Sequence, residues 1–298
     1  MIYIHIGYPK TATTYLQNNV FNAIEGCNFM GFNELCQNGL IDLTFRKESS
    51  LDYNHLAKIF DSEKDYIISY EGFVGIFLNG SVISDFIPNR IKKVVEKPRI
   101  LITIRNQKDM FKSLYIQYVI SGGTLKASDF YASKPPQMIF FDWDFLNYTP
   151  LINKYKKAFG ADNVFIVPYE LLKKNHGLFI NEINKFIDDK IVLTEKDNSK
   201  VVNRSLGKTA LSILRMSNNM VSSYVSDNAI VPPKIMTNKG LKYYIHSLFA
   251  RKPFKYLDPK FELKEELIGD INNYYKASNL LLQKKLPQYD LPGLGYSL

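Results

Sequence analysis

The chain is poor in the residues from which disulfide-stapled or metal-built proteins are made: it has two cysteines, one tryptophan and four histidines in 298 residues. Cys27 and Cys36 lack metal-ligand spacing and have no histidine cluster beside them, so no metal is expected and a disulfide is open but not required. A run of about 18 apolar residues is missing, and with it a membrane-spanning helix. No basic leader with a cleavable apolar segment precedes the first strand, which leads us to expect a soluble, cytoplasmic protein. Internal repeats, low-complexity linkers and blocks of like charge are also absent. The formal net charge is +9, but the lysines are dispersed. That dispersal argues against nucleic acid and suits small anionic ligands or an acidic polysaccharide.

Hydrophobic residues make up 46% and charged residues 22% of the chain, enough for a large core. Strand-like runs at Ile2–Ile6, Asp65–Tyr70, Arg99–Arg105 and Val164–Tyr169 alternate with amphipathic segments. Helices are expected at 14–23, toward the end of 82–95 where Pro88 limits them, and at 108–120, 149–159 and 177–187. Alternation of this kind predicts an α/β fold with a central, mostly parallel sheet between helical layers. Past residue 200 the pattern turns helical, with a long terminal helix over 262–286 and a Pro/Gly-rich tail. We expect one domain over 1–298, in which 1–200 form the α/β core and 201–298 a helical elaboration.

The first strand ends at Gly7 and breaks into Tyr8-Pro-Lys-Thr-Ala-Thr-Thr14 before an apolar-periodic segment. Strand, short loop and helix in that order bring loop amides and a helix N-terminus together into an anion site. The segment aligns with G-x-x-x-x-G-K-[ST], with Ala12 in the second glycine position and the lysine moved inside the loop, to Lys10. An ordinary strand-to-helix turn with a threonine cap is the plainer alternative. Farther on, the buried strand ending at Arg105 places a guanidinium at the carboxyl edge of the sheet, where α/β proteins bind ligands. Ser113 follows eight residues later, two helical turns, within reach of the same anion. A surface ion pair for Arg105 and a solvent-facing role for Ser113 are the alternatives.

Residues 7–17 resemble the 5′-phosphosulfate loop of the sulfotransferases that use 3′-phosphoadenosine 5′-phosphosulfate (PAPS), approximately G-x-P-K-T-G-T-T-x-L-Q. Ala12 is the departure. The segment from Arg105 resembles their 3′-phosphate motif, with Arg105, Asn106, Ser113 and Tyr115 matching, while Gln107 and Met110 replace a proline and a second arginine. A strand ending in S-x-E, here Ser69-Tyr70-Glu71, is similar to one that carries the catalytic base in some members. Asn203-Arg204-Ser205 resembles a late loop that closes over the donor in bacterial members, and a plain basic loop is equally open.

The resemblance implies a P-loop-like α/β sandwich catalysing sulfuryl transfer from PAPS to a hydroxyl or amine, with adenosine 3′,5′-bisphosphate (PAP) as product and no metal. Lys10 then stabilises the leaving group, and Thr11, Ala12, Thr13 and Thr14 hold the 5′-phosphate. Arg105 and Ser113 hold the 3′-phosphate, Asn203, Arg204 and Ser205 close the site, and Glu71 is the base. Glu71 has an alternative role as a turn cap. Likeness to bacterial members favours a carbohydrate acceptor. Trp143 is either a wall for a sugar ring or core. Tyr169-Glu170 reads as structural, His5 as strand packing and His55 as a reserve base, while His176 and His246 match no motif. A P-loop kinase, which needs its lysine where Thr13 stands, and a non-catalytic nucleotide binder are the competing classes.

Overall fold

The computed structural model describes residues 1–78, 81–137, 139–190, 206–223, 225, 230–231, 238–250 and 258–298. The strands are β1 (Ile2–His5), β2 (Cys27–Met30), β3 (Asp65–Ser69), β4 (Arg99–Ile104) and β5 (Val164–Pro168). In chain order the helices are α1 (Thr13–Tyr15), α2 (Phe32–Gln37), α3 (Tyr53–Ala57), α4 (Ile87–Val94), α5 (Gln107–Ile120), α6 (Ala127–Ala132) and α7 (Tyr148–Phe159). They continue with α8 (Glu170–Lys174), α9 (His176–Phe186), α10 (Lys208–Ser217), α11 (Asn238–Ala250) and α12 (Glu265–Lys285). The chain divides into two compact units. Met1–Asn106, Trp143–Asn198 and Tyr275–Leu298 form the first; Gln107–Asp142 and Ser199–Tyr274 form the second.

The first unit holds one parallel sheet in the order β2-β3-β1-β4-β5. β1 is central, paired with β3 through Ile4↔Ile68 and with β4 through Ile4↔Ile100. Its run of apolar residues suits a strand covered on both faces. On one face Tyr3 meets Phe186 of α9 edge-on at 5.6 Å, and His5 meets Phe21 at 5.4 Å. On the other, Ile4 and Ile68 share an apolar cleft with Leu35 of α2 and with Ile91 and Val94 of α4. Helix, sheet, helix is therefore the layer order, as the alternating pattern predicts. Connections leave β1 toward β2 and β4 toward β5, on opposite sides, so a topological switch point lies between β1 and β4.

Several local details differ from the sequence expectations. β2 is an additional edge strand, and its short Cys-Asn-Phe-Met run has none of the β-branched residues that marked the others. The segment after the first loop is an α turn, then a π turn over Leu16–Val20 and a 3₁₀ turn over Phe21–Ala23. Pro88 sits in the first turn of α4, where its missing N–H has no helical partner to lose, and so it starts the helix rather than limiting it. The Pro/Gly-rich tail is packed into the first unit: Leu291 and Tyr296 are buried, and Gln283 of α12 bonds the backbone of Leu286, Tyr289 and Leu291. Cys27 and Cys36 are free thiols.

In the second unit aromatic rings make the core. Tyr118 stacks on Phe130 at 4.2 Å, and Phe111 lies against Tyr131 at 4.5 Å and Phe141 at 5.1 Å. α10 is fastened to the end of α5 by the buried Asn218, whose Nδ2 donates to the carbonyls of Val119 (2.8 Å) and Gly123 (2.9 Å). A missing amide there strands two buried acceptors, each costing about 1–3 kcal/mol. Asn218→Ala is expected to lower unfolding stability by about 2 kcal/mol or more, read as a lower urea midpoint at unchanged slope.

Candidate active site

The residues at the carboxyl edge of the sheet meet at the ends of the neighbouring strands β1 and β4, whose onward connections run opposite ways. Beyond β1 the pairing with β4 continues, with Ile6 N–H donating to Leu101 (2.9 Å) and Tyr8 N–H to Thr103 (3.0 Å). Gly7 sits between them under a steric demand. A Cβ there would lie 2.0 Å from Thr103 Oγ1 and 2.4 Å from His5 Nε2. Tyr8 is buried against Tyr148 (4.8 Å) and Phe145 (5.2 Å), which fixes where the loop leaves the sheet.

Lys10 and Ala12 take left-handed backbone conformations, with φ of 66° and 64°. Left-handed residues spaced through a short loop are the setting in which successive amides converge on one point. Among the described residues, the amides of Ala12, Thr13 and Thr14 have no backbone acceptor, as expected for the first turn of a helix. The Lys10 side chain is exposed, and so is Thr14. Thr11 is fully buried, its hydroxyl donating to the Tyr8 carbonyl and bonded to Thr103 Oγ1 at 2.7 Å. Its side chain therefore braces the loop from below. The Thr13 hydroxyl donates to Glu71 Oε1.

Glu71 follows β3 in a 3₁₀ turn. Burial raises its pKa above the ordinary carboxylate value, opposed by the Thr13 hydrogen bond and by the charge of Lys10. A lysine and a carboxylate whose proton affinity is raised thus stand over the same loop. Arg105 closes the other side: Nη1 donates to the Lys10 carbonyl at 3.1 Å, and the guanidinium lies 4.9 Å from the Tyr169 ring centroid.

Arg105 is held by residues that the sequence marked only as structural. Glu170 is buried and accepts from both the backbone N–H and Nδ2 of Asn106, each at 2.9 Å. Burial raises the pKa of Glu170, while the Asn106 bonds and the charge of Arg105 lower it. Tyr296 of the tail donates to Glu170 at 3.4 Å, and Tyr148 donates to the Arg105 carbonyl. The signal for Glu170 was available, since a carboxylate directly after a buried strand needs a partner. Nothing in the tail's composition foretold Tyr296.

Lys10, Thr11, Ala12, Thr13, Glu71 and Arg105 are thus one constellation in the first unit, with Thr14 at the start of α1. Ser113 is half-buried on α5, in the second unit, where Tyr115 donates to the Leu125 carbonyl at 3.1 Å. Asn203, Arg204 and Ser205 lie outside the described residues. His5 is buried in the sheet, as its position in the strand suggested. His55 lies on the short helix α3, and His176 bonds Tyr15 Oη at 2.8 Å. Trp143 stacks nearly parallel to Tyr275, whose hydroxyl donates to the Trp143 carbonyl. No group of metal-ligating side chains occurs among the described residues, and none of the helices searched there is long and apolar enough to cross a membrane.

Comparison with known proteins bears on this geometry. Among solved structures, a sulfotransferase from Alicyclobacillus acidocaldarius is similar at 13% identity and TM-score 0.47, covering 66% of this chain and 87% of that one. The mouse sulfotransferase SULT7A1 complexed with PAP gives 15% identity and TM-score 0.43, covering 100% of this chain and 89% of that one. The sulfotransferase domain from the curacin biosynthetic pathway gives 10% and 0.39, covering 85% and 98%. Curated protein sequences gave no match. The sulfotransferase domain family model matches residues 3–284, from the first strand to the end of α12. With nearly its whole length matched, the chain belongs to the sulfotransferase domain family.

Proposed function

We propose that this sulfotransferase moves the sulfuryl group of PAPS to a hydroxyl of an acceptor, which we assign to the carbohydrates. The observation that carries the proposal is the meeting of Lys10, the Thr13–Glu71 hydrogen bond and the Arg105–Lys10 carbonyl bond around one loop. PAPS, when bound, supplies an activated S–O bond to phosphate. The amides of Ala12, Thr13 and Thr14 hold the 5′-phosphate, as does Thr11 through its backbone, its hydroxyl being engaged below the loop. Arg105 takes the 3′-phosphate, for which a planar, permanently charged guanidinium is suited.

Glu71 removes the proton as the acceptor oxygen bonds to sulfur, and Lys10 offsets the charge that grows on the departing phosphate oxygen. The products are a sulfate ester, PAP and protonated Glu71. The carbohydrate assignment is supported by the +9 charge, which favours acidic or partly sulfated glycans. The two free thiols suit a reducing cytoplasm.

Thermal-shift titration decides the donor. PAP is expected to raise the melting temperature at concentrations where ATP with Mg²⁺ does not, and the reverse preference overturns the proposal in favour of a kinase. Screening acceptors with labelled PAPS then names the class.

Lys10→Ala is expected to lower kcat by about 10²–10³-fold while the folded state is kept, as for removal of one preorganised charge-stabilising group. Transfer at wild-type rate in that variant removes Lys10 from the chemistry. Glu71→Gln is expected to abolish transfer while PAP still raises the melting temperature, which also excludes a silent binder.

The pH profile follows from the direction of the Glu71 shift. A base works deprotonated, so kcat/KM rises with pH through a limb lying above the ordinary carboxylate value of 4.5. Stability runs the other way: a carboxyl whose pKa is raised on folding favours the folded state when protonated and loses that contribution as pH rises through the folded value. At neutral pH Glu71→Gln is therefore expected to be at least as stable as wild type by denaturant midpoint, though inactive.

A further inference from the structure

His5 is buried, ionisable and unused by the mechanism above, and it stands at the middle of a continuous hydrogen-bond chain. Gln17 Nε2 donates to the Ser69 carbonyl (3.3 Å) and to Ser69 Oγ (3.1 Å). Ser69 Oγ lies 2.8 Å from His5 Nδ1, and His5 Nε2 lies 3.1 Å from Thr103 Oγ1. Thr103 Oγ1 lies 2.7 Å from Thr11 Oγ1, which donates to the Tyr8 carbonyl.

The two ends of this chain have fixed polarity, and that sets the order in which the protons between them are most simply arranged. A carbonyl only accepts, so Thr11 donates to Tyr8 and must accept from Thr103. Thr103 has then used its one proton and must accept from His5, which requires the proton on Nε2. From the other end, the Ser69 carbonyl fixes which atom of the Gln17 amide is nitrogen. Ser69 Oγ accepts from that nitrogen, leaving its own proton for Nδ1. The Thr103 end requires a proton on Nε2, and the Ser69 hydroxyl has its own proton free for Nδ1, so the neutral Nε2–H imidazole satisfies both ends. Burial agrees, holding the His5 pKa near 3.

The chain touches each strand that carries a site residue. Ser69 precedes Glu71 by two residues, Thr103 precedes Arg105 by two, and Tyr8 and Thr11 bracket Lys10. We propose that His5 is a positioning residue: as a fixed Nε2–H tautomer it sets the Lys10 loop in register with the β3 end bearing Glu71 and the β4 end bearing Arg105. Gly7 belongs to the same device, because a Cβ there would occupy the space of the His5–Thr103 bond. The inference rests on the proposed function, which gives the three side chains a common substrate.

Two measurements test it. Long-range ¹H–¹⁵N correlation of the histidine rings is expected to show one neutral Nε2–H imidazole, assigned to His5 by its loss in His5→Phe, that does not titrate between pH 5 and 8. A His5 ring carrying Nδ1–H, or charged in that range, overturns the proposal whatever the enzyme does.

The second measurement is PAP affinity by calorimetry, well below the melting temperature. Thr103→Val keeps the shape and removes the hydroxyl; it is expected to weaken PAP binding about 10- to 100-fold, the range seen when supporting partners of site residues are lost. Thr103→Ser, which keeps the hydroxyl, is expected to restore binding. Should Thr103→Val fold poorly, Ser69→Ala breaks the chain at its other side and is read in the same way. A variant that melts lower yet binds PAP as tightly as wild type shows a purely structural network and overturns the inference alone. A wild-type protein that binds no PAP overturns the proposed function, and this inference falls with it.

Discussion

The missing Cβ at Gly7 is the constraint on which the rest of the site depends. At 2.0 Å from Thr103 Oγ1 and 2.4 Å from His5 Nε2, no side chain could stand there without moving β1 away from β4 or ejecting the imidazole. Because the position is empty, backbone pairing runs past the end of β1 to Tyr8, and the loop leaves the sheet from a fixed point. Tyr8 is then held from one side by Tyr148 and Phe145, and its carbonyl from the other by Thr11. Tyr148 also donates to the Arg105 carbonyl. One buried tyrosine thus touches both the loop and the anchor, and adds to the bond by which Arg105 Nη1 holds the Lys10 carbonyl.

Burial and a nearby cation act in opposite directions on each acid of the site. Glu71 and Glu170 both have their pKa raised by burial, and each has a cation acting against that rise, Lys10 on Glu71 and Arg105 on Glu170. A carboxylate bonded directly to a lysine would be a poor base, because the charged partner favours the ionised form. In place of an ion pair, Glu71 accepts a neutral hydroxyl from Thr13. Glu170 carries the opposite arrangement, with two donors from Asn106 that fix a carboxylate in place. Two acids at one sheet edge thus differ in partners, one bonded to a single hydroxyl and the other to a backbone N–H and a side-chain amide.

Much of this was legible in the sequence, and for a common reason. Four of the five strands announced themselves as β-branched runs; Glu71 and Arg105 could be placed because each sits within two residues of a strand end, and Lys10 because it lies in the short loop that joins β1 to α1. What stayed hidden was long-range. His5, Ser69, Thr103 and Gln17 are scattered over 5–103 and form a chain only once three strands are in register. β2 lacked the side chains that signal a strand and is specified by pairing to β3. The tail's prolines and glycines read as irregular structure, yet Leu291 and Tyr296 are buried, because burial of a few large side chains can order a segment with no regular hydrogen bonding.

Ala12, the loop's departure from the glycine of the resembled motif, becomes intelligible in the same terms. Its φ of 64° is a conformation that glycine adopts without cost, and Lys10 shares it at 66°. A non-glycine residue there costs roughly 1–2 kcal/mol, so the loop stores strain at two positions within three residues. Such strain persists only where the surroundings over-determine the backbone. Here the Arg105 guanidinium holds the Lys10 carbonyl, the Thr11 hydroxyl holds the Tyr8 carbonyl, and Leu16 N–H returns to the Ala12 carbonyl at 3.0 Å. Three carbonyls of the loop are thus held, by Arg105 after β4, by Thr11 within the loop and by Leu16 after α1. An alanine is tolerated because the network, rather than the freedom of a glycine, determines the turn, and a stiffer residue at that point leaves the loop fewer shapes to adopt before a donor binds.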